Sequence, residues 1–317
     1  MNDKHIEQVP MRRVFGDHLV RLGEQIEDLV VLDADTSNST QTKLFAAAFP
    51  DRFINCGVAE ANMVSVAAGI ASAGMRPVVS AFAFLLAMRT SDQIRSQIAY
   101  SGLPVVFAGG YAGLSDFADG GSHQSISDLS FFLSMPSMTV VCPGDAQETE
   151  LSLEAALAVN GPVYLRLSRA EVSRLEIPEA FSIGKAFVRQ EGNDVALVCT
   201  GHILERVLEA GSELRHKGIS ARVIDMHTVK PLDVEALQAA AQQCGCIVTC
   251  EEHNVIGGLG SIVTGCLAGV CPVPVRMVGI QDAFGQSGSY TDLQTNYGLS
   301  STAIVEAAEN VIAQKEN

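Results

Sequence analysis

Phe53-Ile-Asn-Cys-Gly-Val-Ala-Glu60-Ala-Asn-Met-Val-Ser-Val-Ala-Ala-Gly69-Ile-Ala-Ser-Ala-Gly74-Met-Arg-Pro-Val-Val-Ser-Ala81 sets two short apolar runs on either side of a segment of helical period. The runs at 53–56 and 77–81 have strand length and strand-favouring Phe, Ile and Val, whereas 60–74 is long enough for about four helical turns. Strand, helix and strand in that order form the unit of a parallel sheet, whose neighbouring strands need a long crossover connection. The same rhythm runs outward from this stretch. Upstream it gives helix 11–27, strand 29–33 and helix 40–48. Downstream it gives helix 84–100, strand 104–108, helix 127–133, strand 138–142, helix 146–158 and strand 162–166. The fold class is α/β.

From Glu171 to Lys185 the rhythm lapses into charged residues, Pro178 and Gly184, the composition of a linker. A second set then follows: strand 194–200, helix 203–217, strand 219–225, helix 233–243, strand 246–251, helix 259–270, strand 275–280 and helix 300–314. Because 317 residues exceed what one core usually fills, two domains are expected, 1–180 and 185–317.

Lys plus Arg number 21 against 36 Asp plus Glu, a formal charge of −15 that repels nucleic-acid phosphates and anionic membranes alike. The most apolar window, 63–75, is shorter than the roughly 20 residues a membrane span needs, and Met1–Pro10 has no apolar stretch of the signal-peptide kind. The eight cysteines, at 56, 142, 199, 244, 246, 250, 266 and 271, lie mostly in apolar runs without a Cys-x-x-Cys pair. They read as reduced core thiols, so a cytoplasmic protein is expected, and Cys244, Cys246 and Cys250 lack the spacing of a metal site.

Ligands of open parallel sheets gather at the carboxyl ends of the strands, where loops are polar and helix N-termini face the ligand. Here those ends run into Asp33-Ala-Asp35-Thr-Ser37-Asn38, Gly57-Val-Ala-Glu60, Phe82-Ala-Phe84 and Gly109-Gly-Tyr111, the last continuing through a long loop to Asp119-Gly-Gly-Ser-His123-Gln124. Taken singly, each residue has a plainer role. Glu60 opens a helix, where the dipole favours a carboxylate by about 0.3–1 kcal/mol. Asp35 and Ser37 suit a turn and a helix cap, Phe82 and Phe84 suit a core, and His123 suits a solvated turn. Their convergence on one edge makes them a candidate site. The Ala, Ser and Gly residues of helix 60–74 admit close approach of another backbone, which fits a central helix or an interface equally well. Walker, nucleophile-elbow and His-Glu-x-x-His motifs are missing, and in Gly257-Gly-Leu-Gly260 the later Val263 stands where a dinucleotide fingerprint has a small residue.

Cys56-Gly-Val-Ala-Glu60-Ala-Asn-Met63 with its small-residue helix, and Asp119-Gly-Gly-Ser-His123-Gln124, resemble transketolases and the related deoxyxylulose-phosphate synthases. Phe49-Pro-Asp-Arg-Phe53, Val229-Lys-Pro-Leu-Asp233, Glu251-Glu252-His253 and Phe284-Gly-Gln-Ser-Gly288 are similar to further blocks of that family, so the resemblance covers nearly the whole chain. It implies a pyrimidine-binding domain followed by a transketolase C-terminal domain. The family's Gly-Asp-Gly motif for magnesium and diphosphate is missing, since the only Gly-Asp pairs are Gly16-Asp17 and Gly144-Asp145. The resemblance therefore implies the C-terminal subunit of a split transketolase. An N-terminal subunit would carry the diphosphate-binding domain and its Mg2+, thiamine diphosphate would be shared between the two, and the assembly would be a heterotetramer.

The resemblance also implies roles. Glu60 would share a proton with the cofactor's pyrimidine nitrogen, Phe82 and Phe84 would wall the ring, and Asp35, or Asp33 in a competing alignment, would lie near the thiazolium. His123 and Asp119 would hydrogen-bond ketose hydroxyls. Arg169, with Arg12 and Ser37, would hold a sugar phosphate, although Tyr111 stands where yeast-type transketolases place a phosphate-contacting His. The implied reaction is two-carbon ketol transfer from a ketose to an aldose. Alternatives are the β subunit of a 2-oxoacid dehydrogenase, a deoxyxylulose-phosphate-synthase-like enzyme, and a non-catalytic partner, the last disfavoured by Glu60 and His123.

Overall fold

Leu29–Asp33, buried at every residue, runs parallel to Phe53–Asn55 on one side and to Arg76–Phe82 on the other. It belongs to a seven-stranded sheet in the order Thr228–Lys230, Thr139–Val141, Val163–Arg166, Val106–Gly110, Arg76–Phe82, Leu29–Asp33, Phe53–Asn55. A second sheet of five strands runs Val275–Ile280, Ile247–Asn254, Val195–Thr200, Ala221–Asp225, Phe187–Gln190. Both are parallel except at one edge, where Thr228–Lys230 and Phe187–Gln190 pair antiparallel with their neighbours. Helices cover the sheet faces, which is why the central strands read as continuous apolar runs rather than alternating ones. The computed structural model describes residues 8–315, so the expectation drawn from Met1–Pro10 falls for the most part outside the described residues.

The long elements lie where the sequence puts them, but several short ones depart from it. The expected helix 40–48 is two pieces, Ser37–Thr40 and Lys43–Ala48, separated by Gln41 in the left-handed region at φ 67°. The cause is Asp33, whose buried carboxylate accepts hydrogen bonds from the Thr40 and Thr42 hydroxyls at 3.0 and 2.8 Å and from the Thr36 amide at 2.5 Å. The expected helix 84–100 breaks after Ala83–Arg89 and ends in a wide turn, Ile94–Ala99. Within the expected linker, Glu171–Ser173 pairs antiparallel with Gln8–Pro10. Phe187–Gln190, Thr228–Lys230 and helix Tyr290–Asn296 are further elements too short for any period to show.

The two sheets share one apolar cluster, in which Val79, Phe107 and Tyr164 of the first unite with Val198 and Ile224 of the second and Leu259 of the helix that begins there. Polar contacts cross the same boundary. Arg166, at the end of its strand, donates to Asp128 at 2.7 Å, to the Ser125 carbonyl at 3.2 Å and to the Glu252 carbonyl at 3.1 Å. Arg189 meets Asp145, Glu148 and Asp225, so three carboxylates face one guanidinium. Burial, then the charge of Asp225, pushes Glu148 well above the usual carboxylate range.

Helix Glu60–Ser72 packs Met63, Val64, Ala67, Ala68 and Ala71 inward. Asn62 and Gly69 on its other side are exposed, and a Cβ added at Gly69 would have no heavy atom within 4 Å. All eight cysteines are free thiols.

Burial pushes Asp128 up, but the Arg166 guanidinium outweighs it and holds the carboxyl below its ordinary value. A depressed carboxyl contributes stability above its unfolded pKa of about 4, lost as pH falls through the folded value. Asp128→Ala should therefore lower unfolding stability at neutral pH by about 3–5 kcal/mol, the cost of stranding a buried charge. The deficit relative to wild type should shrink in acid, as checked by denaturant titration at two pH values.

Candidate active site

The strand ends of the first sheet place most of the expected residues along one rim. Phe82 and Phe84 flank the start of helix Ala83–Arg89, and both rings meet His123, with centroids 6.4 and 5.4 Å away. Phe82 also packs on Tyr111 at 4.6 Å. The Tyr111 hydroxyl accepts a 2.7 Å bond from Arg12, and Arg169 lies over the Tyr111 ring at 5.1 Å. A continuous line of contacts thus joins Phe84, His123, Phe82, Tyr111, Arg12 and Arg169. Both phenylalanines are half-buried, and His123 donates to or accepts from Ser122 at 2.9 Å. Asp119 is exposed on the same loop.

Glu60 is the first residue of its helix, only 3% exposed, and its two carboxylate oxygens lie 3.2 and 3.3 Å from Arg89 Nη1. Arg89 itself is open to solvent at the far end of the helix that follows Phe82. Sequence reasoning missed Arg89: its 29-residue separation from Glu60 leaves no local signal.

Asp33 and Asp35 are set apart by their surroundings. Asp33 is fully buried among threonines, and burial raises its pKa against their hydrogen bonds. Asp35 is exposed, takes a left-handed backbone at φ 65°, and accepts from Asn55 Nδ2 at 3.2 Å. Of the two, Asp35 faces outward. Ser37 begins the short helix whose Ser39 carbonyl accepts from Arg12 at 3.2 Å.

The loop 111–125 is gripped by the second sheet and its appendages. Glu252 accepts from the Leu114 amide at 2.7 Å and from the Tyr290 hydroxyl at 2.7 Å, and its Oε2 lies 3.0 Å from His202 Nε2. Burial would raise Glu252, but His202 and the Tyr290 hydroxyl hold it below its ordinary value. Gly113, at φ 67°, must be glycine on two counts, because a Cβ there would stand 2.3 Å from Glu252 Oε1. Gln124 donates to the Gln286 carbonyl at 3.1 Å, and Gly288 N donates to the Phe117 carbonyl. Asp116, at the centre of the loop, is raised first by burial and then by the charge of Asp119, with Arg169 and His123 opposing.

A half-buried aromatic pair on the same rim as a shielded carboxylate would suit a flat heteroaromatic ring with one protonatable nitrogen. Among the described residues no group of three or more His, Cys, Asp or Glu is placed to hold a metal ion.

Family models for the transketolase pyrimidine-binding domain and the transketolase C-terminal domain match residues 7–174 and 184–304. The chain belongs to the transketolase family. It is 39% identical to the 6-deoxy-6-sulfo-D-fructose transketolase subunit SqwH of Clostridium sp. (strain MSTE9), covering 98% of this chain and 97% of that protein. It is 35% identical to an apulose-4-phosphate transketolase subunit of Phocaeicola vulgatus, covering 95% and 96%. The 1-deoxy-D-xylulose-5-phosphate synthase 1 of Geobacter sulfurreducens is 36% identical over 95% of this chain but only 48% of that protein. Among solved structures, a split-gene transketolase described as an inactive β4 tetramer superposes with a TM-score of 0.89, at 41% identity and with 98% and 100% of the chains covered. This transketolase chain is thus a subunit of a thiamine-diphosphate-dependent transferase, with the two domain families that such separate subunits carry.

Glu252→Ala would leave the Leu114 amide and the Tyr290 hydroxyl unpaired, at about 1–3 kcal/mol each. Amide exchange across 111–125 should then rise by roughly tenfold or more while exchange in Val195–Thr200 changes little, measured by hydrogen-exchange mass spectrometry.

Proposed function

We propose that this chain is the pyrimidine-side subunit of a split cytoplasmic transketolase that moves a two-carbon ketol unit from a ketose to an aldose. The observation that carries the reading is the shielded Glu60 carboxylate on the same rim as the cluster of Phe82, Phe84 and His123. A separate N-terminal subunit would hold the diphosphate through Mg2+, and two copies of each chain would form a heterotetramer. The chain would divide into a pyrimidine-binding domain at 1–180 and a C-terminal domain at 185–317.

Thiamine diphosphate, when bound, supplies the electron sink that lets a bond beside a carbonyl break. The chain's own residues do the rest. Glu60 holds a proton at the pyrimidine nitrogen, and Arg89 keeps that carboxylate compensated while the ring is absent. Phe82 and Phe84 exclude water from the ring faces. His123 and Asp119 would hydrogen-bond the sugar hydroxyls, where a fixed donor would stabilise developing negative charge. Asp35, exposed at the rim, approaches the thiazolium side, while Asp33 shapes the turn. Arg169, Arg12 and Ser37 take the charged end of the sugar.

The small-residue helix gives the partner its approach, since its uncovered side has open space beyond Gly69. The solved relative that assembles with itself alone is described as inactive, in keeping with a site that needs two different chains.

Purified alone with thiamine diphosphate and Mg2+, the chain should show no ketol transfer, and adding an N-terminal subunit should restore it; unaided turnover would refute the split. Glu60→Ala should lower kcat by roughly 10²–10⁴ with the complex still assembled. Gly69→Leu should leave the chain folded but abolish co-elution with the partner. A complex that consumed pyruvate rather than a ketose donor would favour the synthase reading.

A further inference from the structure

The arginine-bearing end of the rim is less positive than its arginines suggest. Arg12 and Arg169 line an open cavity of about 690 Å3 between the domains. Asp116, with no solvent exposure, lies 3.2 Å from the Arg169 guanidinium. Its other oxygen has no hydrogen-bond partner. The pair cannot separate easily, because the guanidinium is slotted between the Tyr111 and Phe117 rings, 5.1 and 4.9 Å from their centroids. Gln124 and the Gly120 amide fix the Asp116 carbonyl from the other side. The positive charge of Arg169 is therefore answered from within the protein.

Nothing nearby makes up the difference. Arg206, also at the cavity, is paired with Glu209 at 2.9 Å, and Glu171 and Glu205 add negative charge to the same wall. The three arginines of the wall thus face Asp116, Glu171, Glu205 and Glu209, so the cavity holds no surplus of positive charge. A phosphate monoester carries about −1.5 to −2 at neutral pH, so much of its charge would sit uncompensated in a protein of formal charge −15. A sulfonate or a carboxylate carries only −1 and would leave less charge to compensate.

We propose that Asp116 is a specificity-determining residue that tunes this subsite to ketose donors ending in a singly charged anion, a sulfonate or a carboxylate, over phosphate monoesters. The proposal rests on the transketolase reading of the rim. It acts through Arg169, so Asp116 is a positioning group and not one that touches the reacting carbons.

The test measures kcat/KM of the reconstituted two-subunit complex with fructose 6-phosphate, 6-deoxy-6-sulfofructose, fructuronate and fructose. The wild-type complex should favour the sulfonate or carboxylate donor over the phosphate by roughly tenfold or more, as expected for one uncompensated charge at contact range, and the two arms identify which anion is preferred. Asp116→Asn, nearly isosteric, should reverse or erase that ratio, chiefly through KM, which a merely structural loss would not do. A wild-type preference for phosphate would overturn the proposal even if the variant failed to fold, and so would an unchanged ratio in a folded Asp116→Asn complex. A complex that used none of the four donors would instead bring down the transketolase reading and this inference with it.

Discussion

The guanidinium of Arg166 joins three parts of the structure through one buried group. It sits at the carboxyl end of a central strand, bonds Asp128 at the head of the helix after the loop, and reaches the backbone of Ser125 and Glu252. A buried ion pair of this kind adds little net stability, because desolvation consumes most of the Coulomb gain. What it supplies is direction. With both carbonyls and the carboxylate satisfied at fixed angles, the loop carrying Asp119 and His123 can end in only one place relative to the second sheet. Tyr164 completes the arrangement by donating to Asp128 at 2.6 Å while stacking on Phe132.

The second sheet consequently does more than add mass. Its strand Ile247–Asn254 delivers Glu252 to the Leu114 amide, and the segment around Gly285–Gly288 lies against Gly120 and Gly121, where a Cβ would come within 2.3–2.4 Å of Ser287 Oγ and the Gly285 carbonyl. Loops of this length usually remain mobile, at the low-stability end of a structure. Here the loop is lined on one side by aromatic rings from the first sheet and pinned on the other by groups from the second. The rim is preorganised before any ligand arrives.

How much of this could be read from the sequence follows from how far each interaction reaches. Strands such as 29–33 and 195–200 were legible because a parallel sheet buried on both faces leaves a nearly unbroken apolar run. The gathering of Asp35, Glu60, Phe82, Phe84 and His123 on one edge was legible because every parallel strand ends on the same side. The interruption at Gln41 was not, since it depends on one aspartate drawing in three threonines. Arg89, Asp116 and Glu252 were silent for a different reason: each acts on a residue 29 to 138 positions away, and no period or motif records where a guanidinium or carboxylate will point. The three-residue strands Glu171–Ser173 and Thr228–Lys230 carry no apolar run that sets them off from a loop.

One of those short strands bears on where the chain tolerates being divided. Thr228–Lys230, although it follows three strands of the second sheet, completes the first by covering the flank of Thr139–Val141. Severed near residue 180, the leading half would present bare amides and carbonyls along that flank, a template for indiscriminate self-association. A gene break between the two sheets would thus yield sticky fragments.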